Sequence, residues 1–349
     1  NAQKRGVKVR GVIDKDIFNK NYYSDTHLLE ESFESIRSDY EKDLQTLSLI
    51  NNQKYADKCE RPKGYEGPLQ CFEGKGYASK EKLKFLGDIM HNKFFIVDGE
   101  YIWTGSANIS NTGTGGYNAN VIASIKSKYL ADHYLIEFEQ MFKNGNFHRS
   151  KKKLKKQDIR ININGQQVEL FFSPQGYAMN RGVIPLIKKA KKSIDVSIFF
   201  LTHKNVSKEL VAAKNRGVEV RVIIDATSAT NGYSKHNYLR EKGISVKVEN
   251  WGSKMHMKSA IIDKEHLILG SMNWTSAGES KNDENTLIIK NANDAKSYQR
   301  FFDLLWNSIN KKWLSIDPLA ESHDSFPSCN DGIDNDFDRL IDLKDKGCS

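Results

Sequence analysis

The amino-acid sequence predicts an α/β protein made of two tandem copies of one unit. The 349 residues, 38% hydrophobic and 28% charged, suit a globular chain with one large or two medium domains. Residues 4–16, KRGVKVRGVIDKD, are similar to residues 215–227, NRGVEVRVIIDAT. In both stretches Arg-Gly-Val ends a helix and leads into a strand closed by an aspartate, Asp14 or Asp225. Each stretch is followed by a strand containing His-x-Lys, so the chain repeats one unit.

The second copy contains the whole unit. Its strands and helices alternate along the chain, which favours a mostly parallel sheet with helices on both faces. The apolar residues Val183, Ile184, Ile187 and Ala190 fall on one face of the first helix. The predicted elements are a strand at 168–174, a helix at 181–192, a strand at 193–201, a helix at 205–216, strands at 218–225 and 245–250, and the His-x-Lys hairpin.

The first copy begins only at its Arg-Gly-Val turn. Comparison with residues 169–214 suggests that roughly forty residues of the unit precede it. Since a half-unit would leave a sheet edge open, we expect the biological protein to begin before Asn1. The first copy also carries an insertion at about 15–89, with a helical stretch at 28–50, which we expect to shape access to a site.

Four regions follow from these patterns. A charged run, HRSKKKLKKQD at 148–158, joins the two copies and is expected to be solvated, or alternatively to contact phosphate groups. The predicted regions are a first unit at 1–147, a basic linker at 148–165, a second unit at 166–316 and an Asp-rich tail at 317–349.

Charge and cysteine content bear on partners and compartment. The net charge of +9 favours an anionic partner, either nucleic acid or an acidic lipid surface, and no run is apolar enough to cross a membrane. The four cysteines form two local pairs, for which disulfides Cys59–Cys71 and Cys329–Cys348 are the simplest interpretation and free thiols the alternative. Two disulfides, and a first residue that is not Met, predict a secreted or periplasmic protein.

The pattern H-x-K-x4-D-x6-G-S-x-N occurs twice, at 91–108 and at 256–273. The His and Lys of each copy lie two residues apart, so both side chains project from one face of a strand. The residues between Lys and Asp are apolar or small and are expected to be buried core. The repeated polar residues are His91, Lys93, Asp98, Ser106 and Asn108 in the first copy, and His256, Lys258, Asp263, Ser271 and Asn273 in the second.

Two such sets facing each other would form a pocket suited to a phosphodiester. The Lys and Asn side chains would donate hydrogen bonds to the non-bridging oxygens, where charge concentrates in the transition state. One neutral histidine can attack phosphorus, and the other, protonated, can donate its proton to the leaving oxygen. The ammonium groups would supply the positive charge without a metal.

The duplicated motif resembles that of the phospholipase D superfamily, over about residues 4–310. The resemblance implies a bilobal α/β fold with one active site at a pseudo-twofold interface, a phosphohistidine intermediate and no catalytic cofactor. It implies that Ser106 and Ser271 support the catalytic residues, and that Asp98 and Asp263 are structural. Carried over to this chain, the catalytic residues are His91, Lys93, Asn108, His256, Lys258 and Asn273.

The resemblance also implies a carboxylate beside each histidine. Glu284 follows His256 at the expected distance, whereas alignment of Asn120 with Asn285 puts Ala119 at the equivalent position of the first copy. The family habit makes His91 the nucleophile, but a nearby Glu284 would make His256 the better-supported base. We predict His91 as nucleophile and His256 as general acid.

Three functions are compatible with this motif. The basic composition, small size and expected export favour a nuclease that binds the DNA or RNA backbone. The alternative is a secreted phospholipase D or phosphatidyltransferase acting on acidic phospholipid, with Phe199, Phe200 and Leu201 near the acyl chains. A binding module without activity is disfavoured because both motifs keep every expected side chain. Because one chain carries both motifs, we expect a monomer.

The C-terminal segment 329–348 has the spacing of oxygen ligands in a Ca²⁺ loop. Arg339 stands where Gly is normally needed, and the last ligand is Asp rather than Glu. The segment also resembles the Asp-rich, Cys-bracketed repeats of secreted proteins, which are similar to thrombospondin type 3 repeats. We therefore expect a structural Ca²⁺ site, with a disordered acidic tail as the alternative. The candidate ligands are Asp334, Asp336, Asp338, Leu340, Asp342 and Asp345.

Overall fold

A computed structural model describes the chain at residues 2–14, 35–39, 59–60, 70–72, 83–84, 89–155, 159–332, 335 and 340–349. Its central feature is an eight-stranded sheet in the second half, with strand order β13-β12-β11-β14-β15-β16-β10-β9. These strands are β9 (Arg160–Ile163), β10 (Gln166–Ser173), β11 (Ser193–Ile198), β12 (Glu219–Ile224), β13 (Ser245–Val248), β14 (Lys258–Ile262), β15 (His266–Gly270) and β16 (Glu284–Lys290).

The predicted α/β class is confirmed, and the sheet is mixed. Strand β12 runs parallel to its neighbours β11 and β13, as expected for strands linked by helices. The other pairings are antiparallel, because the motif forms a hairpin of β14 and β15 that β16 and β10 then extend.

Strands of the first half form three smaller sheets in the described residues. The hairpin carrying the first motif pairs in the order β6-β7-β8, and β1 pairs with β2 in parallel. These strands are β1 (Gly11–Ile13), β2 (Ile36–Ser38), β3 (Cys59–Glu60), β4 (Gln70–Phe72), β5 (Leu83–Lys84), β6 (Phe94–Val97), β7 (Tyr101–Gly105) and β8 (Ile122–Lys126).

Helices cover both faces of the large sheet, and most of the described helices begin at a side-chain cap. The side chains of Ser127 and Asn291 accept hydrogen bonds from backbone N–H groups at the starts of α2 and α8. The helices are α1 (Asn111–Thr114), α2 (Lys128–Phe142), α3 (Ile184–Lys189), α4 (Lys204–Asn215), α5 (Ala226–Ala229), α6 (His236–Glu241), α7 (Ser276–Ser280) and α8 (Ala292–Ser308). Shorter turns are 3-10 helices at Gln3–Arg5, His148–Ser150, Lys311–Leu314 and Asp342–Lys344, and a π-helical turn at Met179–Val183.

Two hydrophobic clusters fill the two faces. One contains Ile194, Val196 and Ile198 of β11 with Val206 and Leu210 of α4. The other contains residues of both halves of the chain. In it the ring of Tyr134, from the first half, packs edge-on against Phe94 at 4.9 Å and against Phe172 of β10 at 5.1 Å. The two halves therefore share one core, which fixes the positions of their motifs relative to each other.

The expectation of buried core after both Lys residues is correct for the second copy and wrong for part of the first. Ala260 and Ile262 are 1% and 2% exposed, whereas Phe95 and Val97 are 47% and 51% exposed. In the second half Ala260 and Ile262 belong to the hydrophobic cluster that contains residues of α4, whereas Phe95 and Val97 belong to neither of the two clusters.

The expectation of a solvated linker is correct for Arg149, Lys152 and Lys153, which are exposed, and wrong for the parts of the segment described next. His148 and Lys151 are buried, and β9 lies inside the predicted linker and joins the large sheet. His148 Nδ1 lies 2.9 Å from Asp283, and Lys151 Nζ lies 2.7 Å from the same carboxylate. Lys151 also forms an ion pair with buried Glu137. Opposite charges inside the protein offset the cost of burying these cations.

The C-terminal tail is closed by the predicted disulfide Cys329–Cys348, with an S–S distance of 2.02 Å. Strand pairing places Cys59 directly opposite Cys71, while the side chains of this pair lie outside the described residues, so its disulfide remains a prediction. None of the described helices has the length and apolar character of a membrane span.

The Ca²⁺ loop also remains a prediction, because Asp334, Asp336 and Asp338 lie outside the described residues. The Asp342 carboxylate accepts hydrogen bonds from the backbone N–H groups of Asp331, at 3.0 Å, and Gly332, at 3.2 Å. Within the described ranges no three His, Cys, Asp or Glu side chains are grouped to hold a metal ion.

Candidate active site

Each motif histidine is anchored by a segment from the opposite half. The backbone N–H of His91 donates to the carbonyl of Asp283 at 2.9 Å, and that of His256 donates to Ala119 at 2.9 Å. Each motif lysine folds back onto its histidine, with Lys93 Nζ 2.9 Å from the His91 carbonyl and Lys258 Nζ 2.8 Å from the His256 carbonyl. The structure thereby brings both His-x-Lys pairs into one site.

Glu284 contacts His91, not the histidine of its own half. The Nδ1 atom of His91 lies 2.8 Å from each carboxyl oxygen of Glu284. The Ser271 hydroxyl donates to the same carboxyl group at 2.7 Å, and the Glu284 side chain is fully buried. The expectation that Glu284 supports His256 is therefore wrong, because the carboxyl group reaches across the interface between the halves.

Asn120 takes the equivalent place beside His256. Its Oδ1 atom lies 3.1 Å from His256 Nδ1 and accepts a hydrogen bond from Ser106 at 2.8 Å. Asn120 is thus the counterpart of Glu284, and the alignment that gave this role to Ala119 is wrong by one residue. Ser106 precedes Asn120 by 14 residues, whereas Ser271 precedes Glu284 by 13, so the first copy has one residue more in this loop.

A close approach of strands aligns each serine with its partner. Strand β7 ends at Gly105 and β15 at Gly270. A Cβ atom at Gly105 would lie 2.1 Å from the Val121 carbonyl, and one at Gly270 would lie 2.2 Å from the Asn285 carbonyl. Glycine before each motif serine therefore allows the serine to reach Asn120 or Glu284.

The electrostatics of the pocket favour neutral imidazoles and a protonated carboxyl group. Burial and the ammonium groups of Lys93 and Lys258 hold the pKa of His91 well below its ordinary value. Burial and the same two ammonium groups also lower the pKa of His256. Burial raises the pKa of Glu284 to about 8. An anion entering the pocket would stabilise the charged histidines and lysines.

The motif asparagines are placed differently in the two copies. Asn108 is exposed, whereas Asn273 is partly buried and its Oδ1 atom has no hydrogen-bond partner among the described residues. The motif carboxylates lie at strand ends. Asp263 accepts hydrogen bonds from the backbone N–H groups of residues 191–193, the shortest at 2.7 Å from Lys192. These bonds hold its pKa below the ordinary value in spite of burial, which fits the structural role expected for it.

Besides Asn120, sequence reasoning missed three further contributors to the site. Asp14 accepts a hydrogen bond from the backbone N–H of Met90 at 2.8 Å, and Asp225 accepts one from Met255 at 3.1 Å. Each aspartate therefore holds the residue before a motif histidine. The sequence did contain a signal for this role, because an aspartate closes the strand after Arg-Gly-Val in both copies. The ring of Phe199 packs 5.0 Å from that of His256, and no local sequence pattern indicated this contact.

The family model described as "Cardiolipin synthase, PLD-like domain" matches residues 1–142 and 183–306. The chain belongs to this phospholipase D-like family. Its two halves each supply one copy of the family's motif, and the contacts of Glu284 with His91 and of Asn120 with His256 join them.

Individual relatives cover parts of this phospholipase D-like chain. It is 34% identical to a mitochondrial cardiolipin hydrolase of Chlamydomonas reinhardtii, over 34% of this chain and 53% of the relative. It is 33% identical to a phospholipase D of Rickettsia conorii, over 36% of this chain and 60% of the relative. The chain thus spans less than two thirds of the length of these curated relatives.

Two solved structures resemble the phospholipase D-like chain. The phospholipase D family member Nuc from Salmonella typhimurium has 32% identity and a TM-score of 0.39, covering 42% of this chain and 97% of Nuc. The phosphatidylserine synthase of Haemophilus influenzae Rd KW20 has 13% identity and a TM-score of 0.53, covering 86% of this chain and 82% of that protein. The second likeness shows that the fold extends over most of the chain.

Proposed function

We propose that the protein is a phosphodiesterase that cleaves nucleic acid through a phosphohistidine intermediate. The observation that carries the proposal is the convergence of His91, Lys93, His256 and Lys258 in one site, with His91 Nδ1 2.8 Å from Glu284. Two imidazoles and two ammonium groups supply a nucleophile, an acid and positive charge for one phosphodiester.

The reaction proceeds in two displacements. In the first, Nε2 of His91 attacks phosphorus, a P–N bond forms, the P–O bond to the leaving group breaks, and His256 donates a proton to the departing oxygen. In the second, His256 accepts a proton from water, the new P–O bond forms and the P–N bond breaks. Splitting the reaction in this way replaces one difficult step by two easier ones.

The surrounding residues have separate roles in this scheme. In the reactive form the proton of Glu284 is on His256 instead, and ionised Glu284 accepts the Nδ1–H of His91, which leaves Nε2 unprotonated for attack. Asn120 fixes the ring of His256 without adding a negative charge. Lys93, Lys258, Asn108 and Asn273 donate to the phosphoryl oxygens as charge develops there.

A nucleic-acid substrate is supported by the net charge of +9 and the accessible basic side chains. The alternative substrate is a phospholipid, supported by relatives whose names are mitochondrial cardiolipin hydrolase and phospholipase D. A secreted or periplasmic location is also proposed, on the support of the Cys329–Cys348 disulfide.

The test is hydrolysis of single-stranded DNA, plasmid DNA and RNA in EDTA, beside vesicles containing cardiolipin or phosphatidylcholine. The wild type is compared with His91→Ala, His256→Ala and, as a matched control, the exposed His323→Ala. Nucleic-acid cleavage that falls on the order of 10³-fold in the two motif variants but not in the control supports the proposal. Hydrolysis of lipid without cleavage of nucleic acid would assign phospholipid as the substrate. Cleavage that is unaffected by both motif variants would reject this site as the active site.

A further inference from the structure

The basic run after the first half has two faces with different environments. Its inward residues, His148 and Lys151, are fixed to buried Asp283, and the backbone N–H of His148 also donates to that carboxylate at 2.8 Å. Between and beyond them, Arg149, Lys152 and Lys153 are exposed. Because His148 and Lys151 anchor this segment inside the protein, the exposed basic side chains next to them are held in a defined position.

This place is the edge of the active site. Asp283 immediately precedes Glu284, the partner of His91. Strand β10 ends at Ser173, which pairs with Glu284, so the loop at 174–181 leaves the sheet beside the catalytic pair. The Gln175 side chain donates to the carbonyl of His148 and ties this loop to the basic run. Lys152, Lys153 and Arg181 line one small cleft at this junction.

Tyr177 presents an aromatic ring to solvent at the same junction. It is 45% exposed and has a φ of 52°, a left-handed conformation that is disfavoured for a bulky side chain. The following residues are pinned, since the backbone N–H groups of Met179 and Asn180 donate to buried Glu279 at 2.8 and 3.0 Å. Lys153 Nζ lies 5.8 Å from the centre of the Tyr177 ring. Strained backbone that keeps a ring in solvent points to a role for the ring.

We propose that Lys152, Lys153, Tyr177 and Arg181, here called the Tyr177 surface, bind single-stranded nucleic acid and extend the substrate site. The proposal rests on the proposed phosphodiesterase function and adds that the nucleic-acid substrate is single-stranded. Cations beside an exposed ring match a single strand, in which phosphates pair with Lys or Arg and an unpaired base stacks on an aromatic side chain. A duplex keeps its bases stacked, and a lipid surface would need more than one exposed apolar side chain for insertion.

The test separates binding from chemistry. Binding is measured by fluorescence anisotropy with a labelled oligothymidylate of about 15 nucleotides, a length within the range of single-strand sites, in a His91→Ala background. Chemistry is measured with bis(p-nitrophenyl) phosphate, which carries one phosphodiester and no neighbouring nucleotides. The variants are Lys152→Ser with Lys153→Ser, Tyr177→Ser and the conservative Tyr177→Phe.

Matched controls lie at the opposite end of the sheets. Lys191→Ser with Lys192→Ser makes the same charge change beside the start of β11, whose far end leads to Phe199. Tyr129→Ser removes a ring that is 50% exposed near the start of α2. Circular dichroism confirms that each variant is folded.

We expect Tyr177→Ser to weaken oligonucleotide binding roughly tenfold or more, with Tyr177→Phe retaining it. The double lysine variant should weaken binding and reduce the slope of log K against log salt by about 1.4, since each phosphate contact contributes about 0.7. Turnover of the small diester should be unchanged, and the controls should bind as the parent does.

If the Tyr177→Ser and double lysine variants bind the oligonucleotide as well as the controls do, the proposed role of the Tyr177 surface is wrong, and the proposed chemistry is unaffected. Loss of binding to cardiolipin vesicles, with oligonucleotide binding retained, would assign the surface to lipid and overturn the proposal. A parent that binds no oligonucleotide would also overturn it. Absence of small-diester turnover in the wild type would instead contradict the phosphodiesterase function, independently of the binding result.

Discussion

The two motif histidines differ in the residue that faces their Nδ1 atoms. His91 faces the carboxyl group of Glu284, whereas His256 faces the carboxamide of Asn120. A carboxylate stabilises the cation that forms when an imidazole attacks phosphorus, and a carboxamide provides orientation with less charge stabilisation. The pair of partners therefore supports His91 as nucleophile and His256 as general acid.

Glu284 should set the alkaline limit of activity. With the pKa of Glu284 about 8 and both histidine pKa values lowered, Glu284 and the two histidines together hold one proton at neutral pH, on the carboxyl group. Burial and Lys93 also lower the pKa of Lys258 well below its ordinary value, so Lys258 is the other group that can lose a proton on the alkaline side. The reactive form has the same number of protons, with the carboxyl proton on His256 instead. We therefore expect kcat/KM to be level below about pH 8 and to fall about tenfold per pH unit above it, as the proton leaves.

Glu284→Gln removes this ionisation. Its kcat/KM should begin to fall at the lowered pKa of His256, more than about one pH unit below the wild-type limit. Profiles of kcat/KM measured from pH 5 to 10 provide the comparison. A variant that keeps the wild-type alkaline limit would show that another group holds the proton.

Asn120 offers a test of the second histidine. In the wild type the amide oxygen of Asn120 lies 3.1 Å from His256 Nδ1. Asn120→Asp replaces this amide by a carboxylate and should raise the pKa of His256 by about one to three units. Titration of the His256 ring nitrogens by NMR measures this change. Asn120→Leu removes the hydrogen bond without adding charge and should leave the pKa low. Equal pKa values in the two variants would contradict the contact.

Among elements, the segment joining the halves fixes the support of the catalytic pair. His148, in the 3-10 turn His148–Ser150, and the following Lys151 both contact the Asp283 carboxylate. The backbone carbonyl of Asp283 binds the N–H of His91, and the next residue is Glu284. The joining segment is therefore a structural part of the active site.

Lys151→Met should destabilise the protein by about 3–5 kcal/mol, because it leaves Asp283 and Glu137 buried without their cation. Urea denaturation measures the free energy of unfolding. The neighbouring Lys152 is exposed, so Lys152→Met should change stability by no more than about 0.5 kcal/mol. Equal stabilities for the two variants would contradict the buried network.

His148 should make stability depend on alkaline pH. Despite burial, Asp283 and Asp39 raise its pKa from 6.5 to about 10. The folded state therefore holds this proton more tightly, and the resulting stability is present in full below pH 6.5 and is lost as pH rises through 10. Urea unfolding between pH 6 and 10 should show this loss, and His148→Gln should flatten it. The same slope in both proteins would assign the pH dependence to another group.

Local patterns predicted the elements but not their cross-contacts. Alternating strands and helices from 168 to 250, the Arg-Gly-Val turns and both motifs could be read from neighbouring residues. The partner of each histidine could not, because Glu284 reaches the histidine of the other half and a single extra residue before Asn120 shifts the register between copies. The burial of Lys151 was also hidden, since its partners Glu137 and Asp283 are distant in the sequence.

On the scale of the whole molecule, the halves are interdependent. Each supplies a histidine and the partner of the other half's histidine, and both contribute to the cluster around Tyr134. A half on its own would lack a partner for its own catalytic ring. One chain therefore builds one site from two copies of a unit, with unequal roles for the two histidines.

The most direct test of these roles is to trap the covalent intermediate. His256→Ala is mixed with bis(p-nitrophenyl) phosphate, whose leaving group needs no proton, while the base for the second step is missing. We predict a burst of one p-nitrophenolate per chain and a phosphoryl group on His91, located by mass spectrometry after alkaline quenching. His91→Ala should give no burst. A phosphoryl group on His256 in the wild type, or a burst that survives His91→Ala, would contradict the assignment of His91 as the nucleophile.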